Sequence, residues 1–163
     1  MFAIEILSNN RADLTLLIQA VAAIEALVQP QDAWTYQTLI ELLEQDSINV
    51  LIIHNLEKSS AALDKVVGYC LYQVMFEQAE ILRIGTHPTY QRIGLASRLF
   101  DYLNLELQNK SVESLLLEVR ADNVPAIGLY EQQQFTVIHR RKGYYQLPHQ
   151  PAVDALIMQR TYN

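Results

Sequence analysis

The sequence predicts an α/β fold of the mixed kind: one sheet with helices packed on both faces. Three observations carry this expectation. Half of the 163 residues are apolar and 18% are charged, which places the chain among globular proteins and at the length of a single domain. Between residues 91 and 108 the apolar positions Ile93, Ala96, Leu99, Phe100, Leu103 and Leu107 recur at intervals of three and four, the spacing of an amphipathic helix. That helix is flanked by two short runs of strand character, residues 80–86 and 115–119. A strand, a helix and a second strand in succession form a right-handed βαβ unit with its strands parallel.

The remaining elements follow in order. Residues 2–7 read as a strand, and Ser8-Asn9-Asn10 offers N-cap oxygens to a helix starting near Arg11. Leu14, Leu17, Ile18, Val21 and Val28 give that helix one apolar face; Pro30 ends it, and a shorter helix carrying Trp34, Leu39, Leu42 and Leu43 follows. Residues 48–55 and 66–76 are rich in β-branched and aromatic side chains, and the polar stretch 57–65 between them predicts a hairpin with a long loop. His87-Pro88 closes the strand at 80–86. The apolar run Leu115-Leu116-Leu117-Glu118-Val119 suits a parallel strand covered on both faces. After it come a helix over 123–134, a strand from 135 to 139 or beyond, a turn-rich segment over 143–151 and a last strand over 154–160. No internal repeat is visible, so one domain over residues 1–163 is expected.

Composition excludes several partners. A net charge of −6 opposes nucleic-acid binding, which depends on Lys and Arg displacing phosphate counterions, and slightly favours a basic acceptor. Cys70 is the one cysteine, so no intrachain disulfide can form; its setting, Gly-Tyr-Cys-Leu-Tyr, reads as inert strand core. The N-terminus lacks the basic region of a signal peptide. The apolar segment 14–28, interrupted by Gln19 and Glu25, is shorter than the roughly 20 residues of a membrane span. A cytoplasmic protein without membrane attachment is expected. His54, His87, His139 and His149 show no metal-ligand spacing, and no metal is implied.

The most informative segment is Ile84-Gly85-Thr86-His87-Pro88-Thr89-Tyr90-Gln91-Arg92-Ile93-Gly94-Leu95-Ala96-Ser97. A strand ends, a turn follows, and a helix opens with Gly94 and Ala96 in its first turn. The first N–H groups of a helix have no intrahelical acceptor, and the helix dipole adds positive potential there, so this is an anion site. Gly94 admits close approach and Arg92 adds a charge-assisted contact. By its position alone Gly94 fits a turn or packing glycine equally well. Neither a Walker loop nor a dinucleotide fingerprint is present.

Gln91-Arg92-Ile93-Gly94-Leu95-Ala96 resembles the Q/R-x-x-G-x-G/A pyrophosphate motif of the GNAT acetyltransferases, in the expected place between a strand and a helix. Leu117-Glu118-Val119-Arg120-Ala121-Asp122-Asn123, then Ala126-Ile127-Gly128-Leu129-Tyr130 and Phe135, are similar more narrowly to the ribosomal-protein-alanine N-acetyltransferase (RimI) group. The likeness extends through Arg140-Arg141-Lys142-Gly143-Tyr144-Tyr145 to Asp154-Ala155-Leu156-Ile157-Met158. Asp32-Ala33-Trp34-Thr35 stands where that group has an aromatic loop beside the acceptor cleft. Gly85 and Thr86 depart from the commoner small and branched apolar residues, Ala96 replaces the second motif glycine, and Pro125 enters the next helix.

The resemblance implies the acyl-CoA N-acyltransferase fold, a mostly antiparallel sheet around a central parallel pair. It implies acetyl-CoA as co-substrate, with Ile84, Gly85 and Thr86 along the pantetheine arm, Arg92, Ile93, Gly94, Leu95, Ala96 and Ser97 at the pyrophosphate, and Asn123 beyond the next strand. The chemistry needs an uncharged amine, a polarised thioester carbonyl and a proton for the departing thiolate. Glu118, a carboxylate on an otherwise apolar strand, suits the base; Tyr130 suits the acid; a backbone N–H near residues 84–86 suits the carbonyl. Trp34, Tyr144 and Tyr145 would wall the acceptor, although the two tyrosines fit routine strand aromatics equally well. The implied acceptor is a protein N-terminal amine, foremost the N-terminal alanine of a small-subunit ribosomal protein. A small-molecule amine or a protein lysine is the alternative, and a non-catalytic acetyl-CoA-binding module a further one.

Overall fold

The computed structural model describes residues 1–58 and 62–163. Seven strands, β1 (Phe2–Ile6), β2 (Ile48–Asn55), β3 (Val66–Met75), β4 (Gln78–Thr86), β5 (Ser114–Arg120), β6 (Thr136–Tyr145) and β7 (Val153–Thr161), form one sheet in the order β1-β2-β3-β4-β5-β7-β6. Among the described residues, only β4 and β5 pair in parallel. The other neighbours are antiparallel, as expected for a mixed sheet built around a βαβ unit. The helices are α1 (Leu14–Val28), α2 (Tyr36–Leu43), the four-residue α3 (Ala62–Lys65), α4 (Leu95–Asn109) and α5 (Val124–Gln132).

Strand periodicity divides the core. On β2, Val50 and Ile52 point to the face covered by α1 and α2, where they meet Ile18, Val21, Leu39 and Leu43. Leu51 and Ile53 point to the opposite face, where Leu99, Phe100, Leu103 and Tyr130 of α4 and α5 cover them. Two-residue alternation on a strand buried from both sides requires this division.

Several expected boundaries move. α1 starts at Leu14 rather than near Arg11, because the Ser8 hydroxyl bonds the Asn10 side chain and Asn9 donates to the Leu43 carbonyl, so neither caps a helix. Trp34 precedes α2, whose N-cap is Thr35, with Oγ1 accepting from the Thr38 N–H. α4 begins at Leu95, because Pro88–Tyr90 forms a separate 3₁₀ turn capped by His87, and Arg92 and Gly94 then take positive φ angles of 64° and 87°. β5 alternates buried and half-buried positions, so only the Leu115, Leu117 and Val119 face is fully covered. β6 continues through Gly143, at φ 61°, to Tyr145. The expected loop over 57–65 falls partly on residues outside the described ones; its last four residues are α3.

One irregularity shapes the site. β4 pairs with β5 only at Gln78, Ala79 and Glu80, opposite Ser114, Leu115 and Leu116. The next residues of β4 carry a bulge: Leu71 faces Arg83 and Tyr72 faces Ile81, leaving Leu82 as the extra residue. Bulges bend a strand and re-aim its side chains. From here β4 keeps β3 as its neighbour and β5 keeps β7, and the two parallel strands diverge.

Candidate active site

The divergence leaves the outer edge of residues 81–86 without a strand partner among the described residues. An unpaired edge presents alternating N–H and C=O groups that an extended amide chain can bond like an added strand. Ile84, Gly85 and Thr86 lie on it, with the Thr86 carbonyl accepting from the Gln91 side-chain amide at 3.1 Å. Gly85 is required by its neighbour: a Cβ there would stand 2.9 Å from the Tyr69 ring.

At the end of this edge α4 opens. The N–H groups of Gly94, Leu95, Ala96 and Ser97 have no acceptor among the described residues, and the first bond of the helix runs from Arg98 N–H to the Gly94 carbonyl. A Cβ on Gly94 would meet nothing within 4 Å, so the cradle faces open space. Arg92 and Ile93 are exposed beside it, and Arg92 makes no ion pair among the described residues. Free N–H groups, a left-handed glycine and an unpaired guanidinium fit a diphosphate.

Glu118 lies on the face of β5 opposite Leu117 and Val119, toward the α1–α2 side. Tyr145 donates its hydroxyl to Glu118 Oε1 at 3.2 Å, and Arg141 Nη1 stands 3.6 Å from Oε2. Burial, reinforced by the Glu118 charge and hydrogen bond, pushes the Tyr145 phenol up to about 12, so it remains a donor at neutral pH. Arg120 does not pair with Glu118: it holds Asp122 through two 3.0 Å bonds and stacks 5.2 Å from the Tyr145 ring. Tyr144 is half exposed, edge-on to Tyr145 and under Arg141. On the other side Trp34 lies beneath Arg83 at 4.3 Å.

Tyr130 is separated from Glu118. It belongs to the α4–α5 face, edge-on to Phe100 at 6.0 Å and tilted against Phe135 at 6.0 Å. No hydrogen bond or ring contact joins it to Glu118; the two lie on opposite faces of the sheet. Its hydroxyl has no partner among the described residues and is not among their enclosed polar atoms; burial of the ring pushes it up to about 12. Asn123 caps α5, its Oδ1 accepting from Ala126 N–H at 3.3 Å, with Pro125 in the first turn. Cys70 is buried, and burial pushes its thiol up, away from reactivity.

Residues 21–135 match the Acetyltransferase (GNAT) family. The chain belongs to that family. Its curated relatives include [ribosomal protein bS18]-alanine N-acetyltransferases from several bacteria. That of Haemophilus influenzae is 30% identical over 77% of this chain and 80% of its own. That of Salmonella typhimurium is 38% identical over 58% of this chain and 64% of its own length. The chain thus spans somewhat under two thirds of the latter. The crystal structure of the ribosomal-protein-S18-alanine N-acetyltransferase from Escherichia coli superposes with a TM-score of 0.82 at 27% identity, covering 99% of this chain and 94% of that one.

Sequence reasoning missed several charged residues around Glu118 and Trp34. Glu80 lies at the surface of β4 beside Glu118; partial desolvation and then the Glu118 charge push its carboxyl up, opposed by Arg141. Its period-two position on β4 was the available signal. Arg83 and the fully buried Glu25 were visible only as charges interrupting apolar runs. Among the described residues no metal-binding cluster occurs, and no helix is long and apolar enough to cross a membrane.

Gly94→Asp is expected to abolish acetyl-CoA binding by placing a carboxylate in the cradle. A ligand at 100 times its dissociation constant stabilises a protein by about 2.7 kcal/mol. The thermal shift given by acetyl-CoA should therefore disappear in the variant; an unchanged shift would put the diphosphate elsewhere.

Proposed function

We propose that the chain transfers the acetyl group of acetyl-CoA to the free α-amine of a protein N-terminus, with the N-terminal alanine of a small-subunit ribosomal protein as the acceptor that fits best. The observation that carries this reading is the β4 edge, unpaired over residues 81–86 and ending at the open cradle of α4, with Glu118 beside it on the acceptor side. Ile84, Gly85 and Thr86 hold the pantetheine arm, and Arg92, Ile93, Gly94, Leu95, Ala96 and Ser97 hold the diphosphate. Asn123, whose Oδ1 is engaged as a cap, uses its free amide nitrogen toward the same ligand.

With acceptor and donor bound together, Glu118 takes a proton from the incoming ammonium. Glu118 passes that proton to solvent, the amine nitrogen attacks the thioester carbonyl carbon, and a backbone N–H of residues 84–86 stabilises the oxyanion. The C–S bond then breaks as the new C–N nitrogen loses its second proton to the Glu118 carboxylate, and Tyr130 gives its proton to the thiolate and regains one from solvent. A thioester in the opening between β4 and β5 is reached from both faces, which suits a base and an acid on opposite sides of the sheet. Tyr145 and Arg141 orient Glu118.

An N-terminal amine has a reference pKa near 7.7–8.0, against about 10.4 for lysine, so one carboxylate suffices to deprotonate it near neutral pH. In this reading Trp34 on one side and Tyr144 and Tyr145 on the other wall the extended end of the acceptor chain. The names of the relatives favour alanine at its first position. The net charge of −6 favours a basic protein tail through a screened term. The test offers matched peptides, one with a free N-terminal alanine and one blocked with an internal lysine, together with a polyamine. Fastest acetylation of the free-alanine peptide is expected. Faster acetylation of either alternative overturns the acceptor assignment, and absence of turnover on all three leaves an acetyl-CoA-binding module.

A further inference from the structure

We propose that Arg83 is a positioning residue that fixes the acceptor wall carrying Trp34 against the β4 edge; this rests on the acetyltransferase reading above. Trp34 sits in the connection between α1 and α2, a stretch without regular structure of its own. Nearly every group of the Arg83 guanidinium is directed at that connection. Nη1 donates to Gln29 Oε1 at 2.8 Å and to Asp32 Oδ2 at 3.4 Å, and Nη2 donates to the Asp32 carbonyl at 3.1 Å. Nε lies 3.5 Å from Glu25 Oε2, an ion pair without a hydrogen bond, and the guanidinium carbon stands over the Trp34 ring, 4.3 Å from its centroid.

Glu25 completes the brace from within the core. It is fully buried on α1; Oε2 accepts from the Trp34 N–H at 2.8 Å, and Oε1 accepts from the Tyr69 hydroxyl. The Tyr69 ring in turn rests on Gly85. Two routes thus run from the Trp34 connection to β4, one through Arg83 and one through Glu25 and Tyr69. They end two residues apart on β4, at Arg83 just before the edge assigned to the pantetheine arm and at Gly85 within it. A buried carboxylate and guanidinium contribute little net stability compared with an apolar pair, but they fix geometry through directional bonds. The geometry fixed here is the distance between the acceptor wall and the donor edge. Effective rate depends steeply on such placement.

Lysine at 83 keeps one positive charge near Glu25 but loses the fork to Gln29 and Asp32 and the planar stack on Trp34. In the full chain, Arg83→Lys is expected to raise KM for the free-alanine peptide about tenfold, the effect of losing one charge-assisted bond. The acetyl-CoA dissociation constant should not move. Trp34 is the only tryptophan, so its fluorescence reports the wall directly. Stronger quenching by acrylamide is expected in the variant at unchanged circular dichroism. Unchanged KM with unchanged quenching overturns the proposal. So does a loss of turnover that merely follows a lowered melting temperature. If Arg83→Lys does not fold, the paired variant Glu25→Gln with Arg83→Met, which leaves no buried charge unpartnered, is measured in the same way. Should the wild-type chain fail to acetylate the peptide, the acceptor reading fails, and the brace stands or falls on the quenching measurement.

Discussion

Glu118→Gln is expected to lower turnover by roughly 10²–10⁴-fold while acetyl-CoA binding is retained. Glutamine keeps the shape of the side chain and an oxygen that accepts from the Tyr145 hydroxyl, so the local arrangement survives and only the basic site is lost. The ion pair with Arg141 is also lost. At 3.6 Å, with side-chain exposures of 48% and 25%, it contributes at most about 1 kcal/mol to stability. Initial rates of acetyl transfer to the free-alanine peptide, measured beside the thermal shift given by acetyl-CoA, separate chemistry from binding. Full activity in the variant removes Glu118 from the mechanism. A loss below tenfold means that the base role is shared, and Glu80, the neighbouring carboxylate on β4, is then the residue to vary next.

The βαβ unit and the two-sided core were legible because they follow from periodicity. The apolar spacing of α4, the strand runs before and after it, and the alternation of Val50, Leu51, Ile52 and Ile53 each prescribe a face. The backbone of the candidate donor side was legible for a related reason: a glycine between a strand and a helix marks a local geometry, and Gly94 adopts the positive φ that the turn requires. The acceptor side was less so. Glu118, Tyr145 and Arg141 meet only because β6 lies at the far edge of the sheet and extends past Gly143, and no spacing in the sequence encodes that pairing. The bulge at Leu82 likewise has no glycine or proline to announce it, yet it accompanies the divergence of β4 from β5 and turns Arg83 toward Glu25. Arg11 illustrates local competition. Its bonds to Asp13 and Glu5 hold the chain before α1 in a turn that helix propensity alone does not foresee.

Tyr130→Phe is expected to lower turnover by a similar factor, roughly 10²–10⁴-fold, for the opposite reason: it withholds a proton from the leaving thiolate. The ring contacts with Phe100 and Phe135 are those of an aromatic side chain and remain in phenylalanine. The hydroxyl has no partner among the described residues, so its removal leaves no buried group unsatisfied, and the melting temperature should scarcely change. Burial disfavours the phenolate and pushes this phenol up to about 12, above the usual value near 10. The protonated form, which is the one that donates, therefore persists through neutral and mildly alkaline pH and is lost only as pH approaches 12. The rate of the wild-type chain should accordingly show no alkaline fall near pH 10 attributable to Tyr130. Such a fall, present in the wild type and absent from Tyr130→Phe, would show that the phenol takes part in the reaction but is not desolvated, and would overturn the upward shift. Wild-type turnover in the variant, with acetyl-CoA and peptide both saturating, would assign the proton to water entering between β4 and β5 and leave Tyr130 as packing alone.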